Sequence, residues 1–477
     1  MNKIVLTIAF ALTVGIATAV ATAPNFIIIL TDDQGWGTTS VLMDPLVSES
    51  KSDFFQTPNI ERLAASGMRF SQAYAHCNCS PSRAALQTGR SPAALHFTDI
   101  AERNSGPMYE GNKLIPPRHV SALSKGDATI PQLLKASNPA YRAAHFGKWH
   151  LAGGGPQNYG YDVSDGPTGN GVGNRAENLP DDPKKIFSVT RRAIDFMQAE
   201  VKAGRPFYLQ VSHYATHEAD QSRSATREKF RQTTKGKRHN NVSYAAMLAD
   251  LDTGIGQLLD AVKAAGIADH TYVIYTSDNG SIPTDDPGNL NGPLHGWKAS
   301  VWEGGIRVPF MVVGPGIKPD TINRTPIVGY DILPTICDFA GITNWPKTVE
   351  GGSLKPLLLG EPKAVVKRPE SFLVFHWPHY QHGRGSTPDT TILAEGWKLH
   401  YWWETSQVQL FHLDQDLGEM KDLASSLPAQ AAALKQKLTN YLAGVQAQLP
   451  TPNSDYDPAT RAVRSQKTKT DKGVEAD

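Results

Sequence analysis

The sequence predicts an α/β fold: a large mixed, mostly parallel central sheet flanked by helices, with a smaller C-terminal subdomain of antiparallel sheet plus helix. Three observations carry that reading. The runs at 25–30, 207–211, 271–276 and 308–313 are continuously or nearly continuously apolar, as strands covered on both faces require. Other segments repeat apolar residues at helical spacing, as in Tyr244, Met247, Leu251, Ile255, Leu258 and Val262. Past residue 362 the character changes to short aromatic and β-branched runs broken by turn residues, the pattern of antiparallel strands.

The chain divides accordingly into residues 1–23, 24–361, 362–449 and a polar tail, 450–477. Lys3, the apolar stretch 4–16, and the small residues Ala17-Thr18-Ala19 and Ala21-Thr22-Ala23 form the three regions of a secretory signal peptide. That stretch is shorter than the roughly 20 apolar residues a membrane span needs, so the expectation is export to the periplasm or medium with no stable membrane anchor. At 477 residues, 40% hydrophobic and 19% charged, the chain can build more than one packed layer. A net charge of +1 gives no polybasic footprint, which argues against nucleic acid as a partner. Three cysteines, Cys77, Cys79 and Cys337, are too few for a disulfide framework. If chemistry consumes Cys79, the other two are expected as buried thiols, a bridge between them being the alternative.

The first strand, 25–30, runs into Thr31-Asp32-Asp33-Gln34-Gly35. Open α/β sheets bind ligands beyond the carboxyl ends of their strands. Adjacent acids there repel each other unless a cation lies between them, the plain alternative being a solvated turn. Thr57-Pro58 opens a helix with Ile60, Leu63 and Ala64 on one face, stopped at Gly67. Residues 68–74 lead to the run Cys79-Ser80-Pro81-Ser82-Arg83-Ala84-Ala85-Leu86-Gln87-Thr88-Gly89-Arg90. Pro81 fits a first helical turn, which puts Cys79 just ahead of the helix N-terminus, where unpaired N–H groups favour negative charge. Arg83 adds a fixed cation one turn on, so an anionic substrate or nucleophile is stabilised there. Residues 91–125 are loop-like, suited to an active-site rim, and 130–136 is a short helix.

In Gly147-Lys148-Trp149-His150 a lysine and a histidine two apart on an extended segment point to one face, an anion holder beside a proton carrier. An amphipathic helix marked by Ile194, Met197 and Val201 ends at Gly204, and strand 207–211 leads to Ser212-His213-Tyr214-Ala215-Thr216-His217. After the helix 244–262, strand 271–276 ends in Ser277-Asp278-Asn279-Gly280, whose carboxylate and amide oxygens are hard ligands suited to calcium. Gly296-Trp297-Lys298 precedes Glu303-Gly304-Gly305-Ile306-Arg307-Val308-Pro309, the entry to strand 308–313, and Asp331 opens a structural helix.

The run 79–90 resembles the signature of the type I sulfatases of the alkaline phosphatase-like superfamily: Cys-x-Pro-Ser-Arg followed by Leu-x-Thr-Gly-Arg. The resemblance extends from 25 to about 423, with each motif in family order. It implies that a formylglycine-generating enzyme reads Cys79, Pro81 and Arg83 and oxidises Cys79 to formylglycine, whose hydrate is the nucleophile. It implies one calcium ion per chain, held by Asp32, Asp33, Asp278 and Asn279. Arg83 then steadies the nucleophile, Lys148 binds sulfate oxygens, His150 takes a proton as sulfate leaves, and His217 with Lys298 serves the leaving oxygen. Two departures stand out. Ala219 replaces a proline that usually follows the loop histidine, so His213 competes with His217; His217 is taken as the site residue and His213 as packing. His295 stands where many members carry arginine.

Beyond 362, residues 372–375 read as a strand, followed by a loop with His376, Trp377, His379 and Arg384. Strands at 397–403 and 410–413 and a helix at 428–442 complete the subdomain. His295, His376, His379 and Arg384 are the expected substrate-binding residues. Trp377, Trp402 and Trp403 can either stack on sugar rings or pack in the core. The expected function is an exported sulfatase acting on sulfate monoesters of a poly- or oligosaccharide. The alternatives are a phosphodiesterase or phosphonate hydrolase with the same nucleophile and metal, or a non-catalytic binder of sulfated glycans.

Overall fold

The computed structural model describes residues 23–103, 111–173, 179–284, 288–381 and 384–458. The signal peptide expected over 1–23 therefore lies, apart from Ala23, outside the described residues. An eight-stranded sheet runs in the order Thr321–Asn323, Met68–Phe70, Phe310–Val313, Thr271–Ser277, Asn25–Thr31, Phe207–Ser212, Arg142–Gly147, Val163–Ser164. Neighbours are parallel except at Phe310–Val313, which runs antiparallel to both of its partners.

The continuous apolar runs sit mid-sheet because both faces are covered. Successive side chains of Asn25–Thr31 alternate between two cores. Ile27 and Ile29 join Val189 and Met197 of helix Ile186–Lys202 and Met247, Leu251 and Ile255 of helix Val242–Ala264. Phe26, Ile28 and Leu30 join Ala84 and Leu86 of helix Cys79–Thr88, Leu134 of helix Ile130–Ser137 and Ile336 of helix Ile332–Phe339. Each such buried side chain contributes about 1.5–3 kcal/mol by leaving water, so the strand that precedes Asp32 is anchored from both sides.

A second, antiparallel sheet orders Leu373–Trp377, Asp389–Ala394, Trp397–Trp402 and Gln407–His412. Helix Pro428–Gly444 covers one face, setting Leu434, Leu438 and Leu442 on Val374, Ile392 and Leu399. The other face packs Leu373, Phe375 and Trp377 against Tyr74, Cys77 and Ala85, so this sheet backs the signature helix directly. Strand Leu373–Trp377 runs two residues beyond the expected end and takes His376 and Trp377 out of the loop. Strand Asp389–Ala394 was not among the expected elements.

The rim segment 91–125 is less loop-like than expected: it contains helix Pro92–Leu95, a turn at Ala101–Arg103 and strand Leu114–Ile115. Thr451–Pro452 pairs with that last strand, which ties down the start of the polar tail. The tail beyond 458 lies outside the described residues. Cys77, Cys79 and Cys337 are buried and free, with Cys77 and Cys337 in different cores. Among the described residues no helix is long and apolar enough to cross a membrane.

Candidate active site

Strand register builds the centre of the site. Thr31 and Ser277 are partners at the carboxyl ends of parallel neighbours, so Asp32-Asp33 and Asp278-Asn279 leave the sheet side by side. The Asp278 N–H donates to the Thr31 carbonyl (3.2 Å) and the Asp32 N–H to Ala215 (3.0 Å), locking three loops together. Next along the sheet, strand Arg142–Gly147 ends at a glycine with φ 93°, where a Cβ would stand 1.9 Å from the Ser212 carbonyl oxygen. Only glycine permits that approach, and it delivers Lys148, whose N–H bonds to Ser212 at 2.8 Å. The expected extended Lys-x-His segment is not formed: His150 has φ 58°, and the two side chains reach the site around a bend.

Helix Cys79–Thr88 points its N-terminus at this cluster, with Cys79 its first residue. The Cys79 sulfur and one oxygen each of Asp32 and Asp278 lie within 4.8 Å of one another. Ser80 Oγ donates to the His150 carbonyl (2.8 Å), and the Ala299 N–H to Cys77 (2.8 Å), so the loops carrying His150 and Lys298 are pinned to the helix start.

Three carboxylates and three cations are buried together. Arg83 donates through Nε and Nη2 to Asp278 Oδ2 at 2.9 and 2.6 Å, and through Nη1 to the Lys148 carbonyl at 2.5 Å. Lys148 Nζ donates to Asp32 Oδ2 (2.6 Å), while Lys298 Nζ reaches both oxygens of Asp33 at 2.7 and 2.8 Å. Burial pushes the carboxylates up, but the surrounding cations together more than reverse it, Lys148 foremost for Asp32 and Lys298 foremost for Asp33, and both stay below the usual range. Asp278 is pushed up to about 7 by burial and then by the Asp32 charge, in spite of Arg83. The cluster is thus short of positive charge at Asp278. Asp32 Oδ1 and Asn279 Oδ1 are buried with no hydrogen-bond partner among the described residues. Hard oxygens without partners beside a carboxylate that resists ionising fit a divalent cation such as calcium.

His217 borders the pocket of about 490 Å³ that opens over the cluster, together with Lys298, Glu102, Arg103 and Arg384. Its Nδ1 lies 2.9 Å from the Glu218 carbonyl, and its Nε2 lies 3.7 Å from Asp33. Burial, then the Lys298 charge, lowers His217 to about 4; burial, then Lys148, does the same to His150. Both rings are therefore neutral near pH 7. His213 is buried, its N–H bonded to Leu30, and does not line this pocket, in keeping with its reading as packing.

The expected substrate residues separate. Arg384 lines the pocket with His217 and Lys298. His295 is exposed and stacked on Trp302 at 4.2 Å, in an adjoining cleft that shares Arg384. His376 and His379 must be corrected: both are buried inside the protein. His376 bonds Thr390 Oγ1 (2.7 Å) and the Gln448 carbonyl (2.9 Å), and His379 pairs with Thr98 Oγ1 (2.7 Å). Trp403 donates to Thr390 (2.8 Å) and packs on the C-terminal core rather than facing the pocket. Sequence reasoning missed Glu102, whose Oε2 lies 2.9 Å from His150 Nε2, and Arg103, which donates to Gln381 at 2.7 Å. Both lie on the irregular rim, where no periodicity signals a side chain's direction. Lys184, lowered to about 8 by burial, also lies within electrostatic reach of Asp32 and was not anticipated.

A parallel-rich sheet that gathers three buried cations and a cysteine at its carboxyl ends is suited to holding an anionic ester. The family model named Sulfatase matches residues 24–342, and that of the C-terminal part of N-sulphoglucosamine sulphohydrolase matches 294–448. A sulfatase of Formosa agariphila is 29% identical over 500 residues, covering 88% of either chain. Human N-acetylgalactosamine-6-sulfatase is 29% identical over 426 residues, 81% of this chain and 73% of that one. Human arylsulfatase A is 27% identical, over 91% and 86%. The crystal structure of Ps i-CgsB with k-i-k-neocarrahexaose shares the fold with a TM-score of 0.72 at 24% identity, covering 95% of this chain and 100% of that one. The chain belongs to the sulfatase family and is a sulfuric ester hydrolase.

Proposed function

We propose that this chain is exported, that Cys79 is matured to formylglycine, and that with one bound calcium ion it hydrolyses sulfate monoesters on a carbohydrate. The observation that carries the proposal is the meeting of Cys79, Asp32 and Asp278 within 4.8 Å, ringed by Arg83, Lys148 and Lys298. A thiol is a soft ligand among hard oxygens, so an oxygen-bearing side chain at position 79 suits this cluster better. The sugar reading is supported by relatives named for sugar sulfates, among them N-acetylgalactosamine-6-sulfatase at 29% identity.

Asp32, Asp33, Asp278 and Asn279 would hold the calcium. Bound there it stabilises negative charge, while formylglycine supplies the nucleophilic hydroxyl. The remaining work falls to this chain's own residues. Arg83, fixed on Asp278, keeps a cation at the helix start beside position 79. Lys148 and Lys298 present ammonium groups to the sulfate oxygens in a site that excludes water, where fixed charges act strongly. Lys298, which Asp33 holds charged although burial opposes it, is the proton donor at hand for the leaving oxygen. His217, with Nδ1 at the Glu218 carbonyl, turns Nε2 toward the same place. His150 is neutral and so can accept a proton at position 79.

The test joins two measurements on protein made in a host that carries the modifying enzyme. Mass spectrometry of the peptide containing residue 79 should show CH₂–SH replaced by CHO. The same preparation should release sulfate from nitrophenyl sulfate and from sulfated sugars in preference to a matched phosphate diester. A persistent thiol, or a preference for the diester, overturns the proposal.

A further inference from the structure

Beside the catalytic pocket lies a second cleft, of about 150 Å³, and Arg384 lines both. That volume is half the lower end for drug-sized pockets, room for a single ring. Its walls are aromatic. Trp302 stacks on His295 at 4.2 Å and packs at a tilt on His400 at 4.1 Å, so its ring is already engaged. Trp297, 37% exposed, and the partly exposed Trp402 are the rings left to meet a ligand.

Three polar atoms of residues lining this cleft are buried and unpartnered among the described residues: Asp389 Oδ1, on a residue only 3% exposed, Trp377 Nε1 and Arg384 Nη1. A lone acceptor and lone donors buried in one cavity each carry a desolvation cost that a hydroxylated ligand would relieve. Asp389 Oδ2 is committed to His400 Nδ1 at 2.7 Å, and His400 Nε2 lies 3.0 Å from Glu419. With carboxylates at both nitrogens the ring is an imidazolium. Asp389, Glu419 and Glu303 are then balanced by His400, Lys398 and Arg307, so that among the described residues lining the cleft Arg384 is the cation outside this network.

Resting on the sugar-sulfatase reading, we propose that this cleft is a second subsite, which takes the uncharged pyranose next to the sulfated ring. Trp297 and Trp402 meet its apolar C–H face. Asp389 accepts from a hydroxyl and Trp377 donates to one, while Arg384 bridges the two rings. The free Asp389 oxygen repels a sulfate or carboxylate on the side of the ring that it meets, so the sugar is selected to be neutral on that side.

The test uses matured full-length enzyme with nitrophenyl sulfate, and with the 6-sulfates of N-acetylgalactosamine and glucosamine, each free or linked to galactose that is either unsulfated or sulfated. For the ring accepted, the neutral disaccharide should exceed the monosaccharide about tenfold in kcat/KM, chiefly through KM. Trp297→Ala should remove that advantage, lowering the disaccharide about tenfold more than nitrophenyl sulfate. Asp389→Asn should narrow the preference for unsulfated over sulfated galactose, and a melting curve checks that it folds. Equal rates on monosaccharide and disaccharide, or an advantage that survives Trp297→Ala, would overturn the subsite alone. Absence of nitrophenyl sulfate hydrolysis would remove the sulfatase proposal beneath it.

Discussion

Two buried charge clusters, built from almost the same parts, sit on either side of the loop 296–307. In the catalytic cluster Asp32, Asp33 and Asp278 face Arg83, Lys148 and Lys298. In the C-terminal one Glu303, Glu419 and Asp389 face Lys398, Arg307 and His400. Their partnerships differ. Glu303 accepts from Tyr74 (3.0 Å), Lys398 (3.0 Å) and Arg307 (3.3 Å), and Glu419 accepts from the Glu303 N–H at 2.7 Å. Glu419 is accordingly held down at about 2: burial opposes ionisation, but Lys398, His400 and the Glu303 N–H together outweigh it. The catalytic cluster instead leaves Asp32 Oδ1 and Asn279 Oδ1 without a hydrogen-bond partner among the described residues and Asp278 pushed up to about 7. Equal charge counts therefore do not mean equal roles. Around Glu303 and Glu419 the satisfied network holds structure together, whereas unsatisfied oxygens, at Asp32 and Asn279 and again where Asp389 meets the second cleft, mark places where a ligand is expected.

The sharpest way to break this contrast begins at position 79. Cys79→Ala should lower sulfate release at least about a thousandfold, because the proposed nucleophile is gone, while the melting temperature moves little. Residual activity within tenfold would place the chemistry elsewhere. A matched pair of lysines comes next. Lys148→Met should cost roughly 10²–10³ in kcat with only a small change in urea stability, since a charge is removed from a cluster that is not fully satisfied. Lys398→Met should cost on the order of 3–5 kcal/mol of stability by stranding Glu303 and Glu419, with turnover per folded molecule largely kept. Exchanged outcomes for the two variants would refute the contrast. Calcium is a gentler probe: at a hundredfold over its dissociation constant it should stabilise the protein by about 2.7 kcal/mol, and Asp278→Asn should abolish that gain. A melting curve indifferent to calcium and chelator would remove the metal from the proposal.

What the sequence made legible follows the same divide. Asp32, Asp33, Asp278 and Asn279 could be found because each follows a continuous apolar run, and a buried strand fixes where its next residues emerge. His376 and His379 were misplaced because the sequence around Trp377-Pro378 looks like a loop. Strand Leu373–Trp377 instead carries His376 inside, where Thr390 and Gln448 take both its nitrogens. Glu102 was invisible for the opposite reason: a side chain on an irregular rim is aimed by tertiary packing, which no local periodicity encodes. The C-terminal charge network was also hidden, since Lys398 and His400 lie in a strand whose partners, Glu303 and Glu419, come from distant turns.

The smallest predicted effect tests the C-terminal cluster by itself. Glu419 lies at about 2 in the folded protein against an ordinary value of 4.5, so its ionised form is favoured by folding. Its contribution to stability is full above pH 4.5 and is lost as pH falls through that window toward 2. His400 works in the opposite sense. Asp389 raises it although burial opposes, so its contribution is full below the ordinary value of 6.5 and is lost as pH rises through the folded value. Urea unfolding between pH 2 and 5 should therefore fall less steeply toward acid in Glu419→Gln than in the parent, although the variant starts lower at neutral pH. Other carboxylates titrate in the same range but do so equally in both proteins, so the difference between the two curves isolates Glu419. Parallel curves would mean that this glutamate is no better stabilised when folded than when unfolded. The C-terminal network would then be as unsatisfied as the catalytic one, and burial and charge count alone could not tell a structural cluster from a binding one.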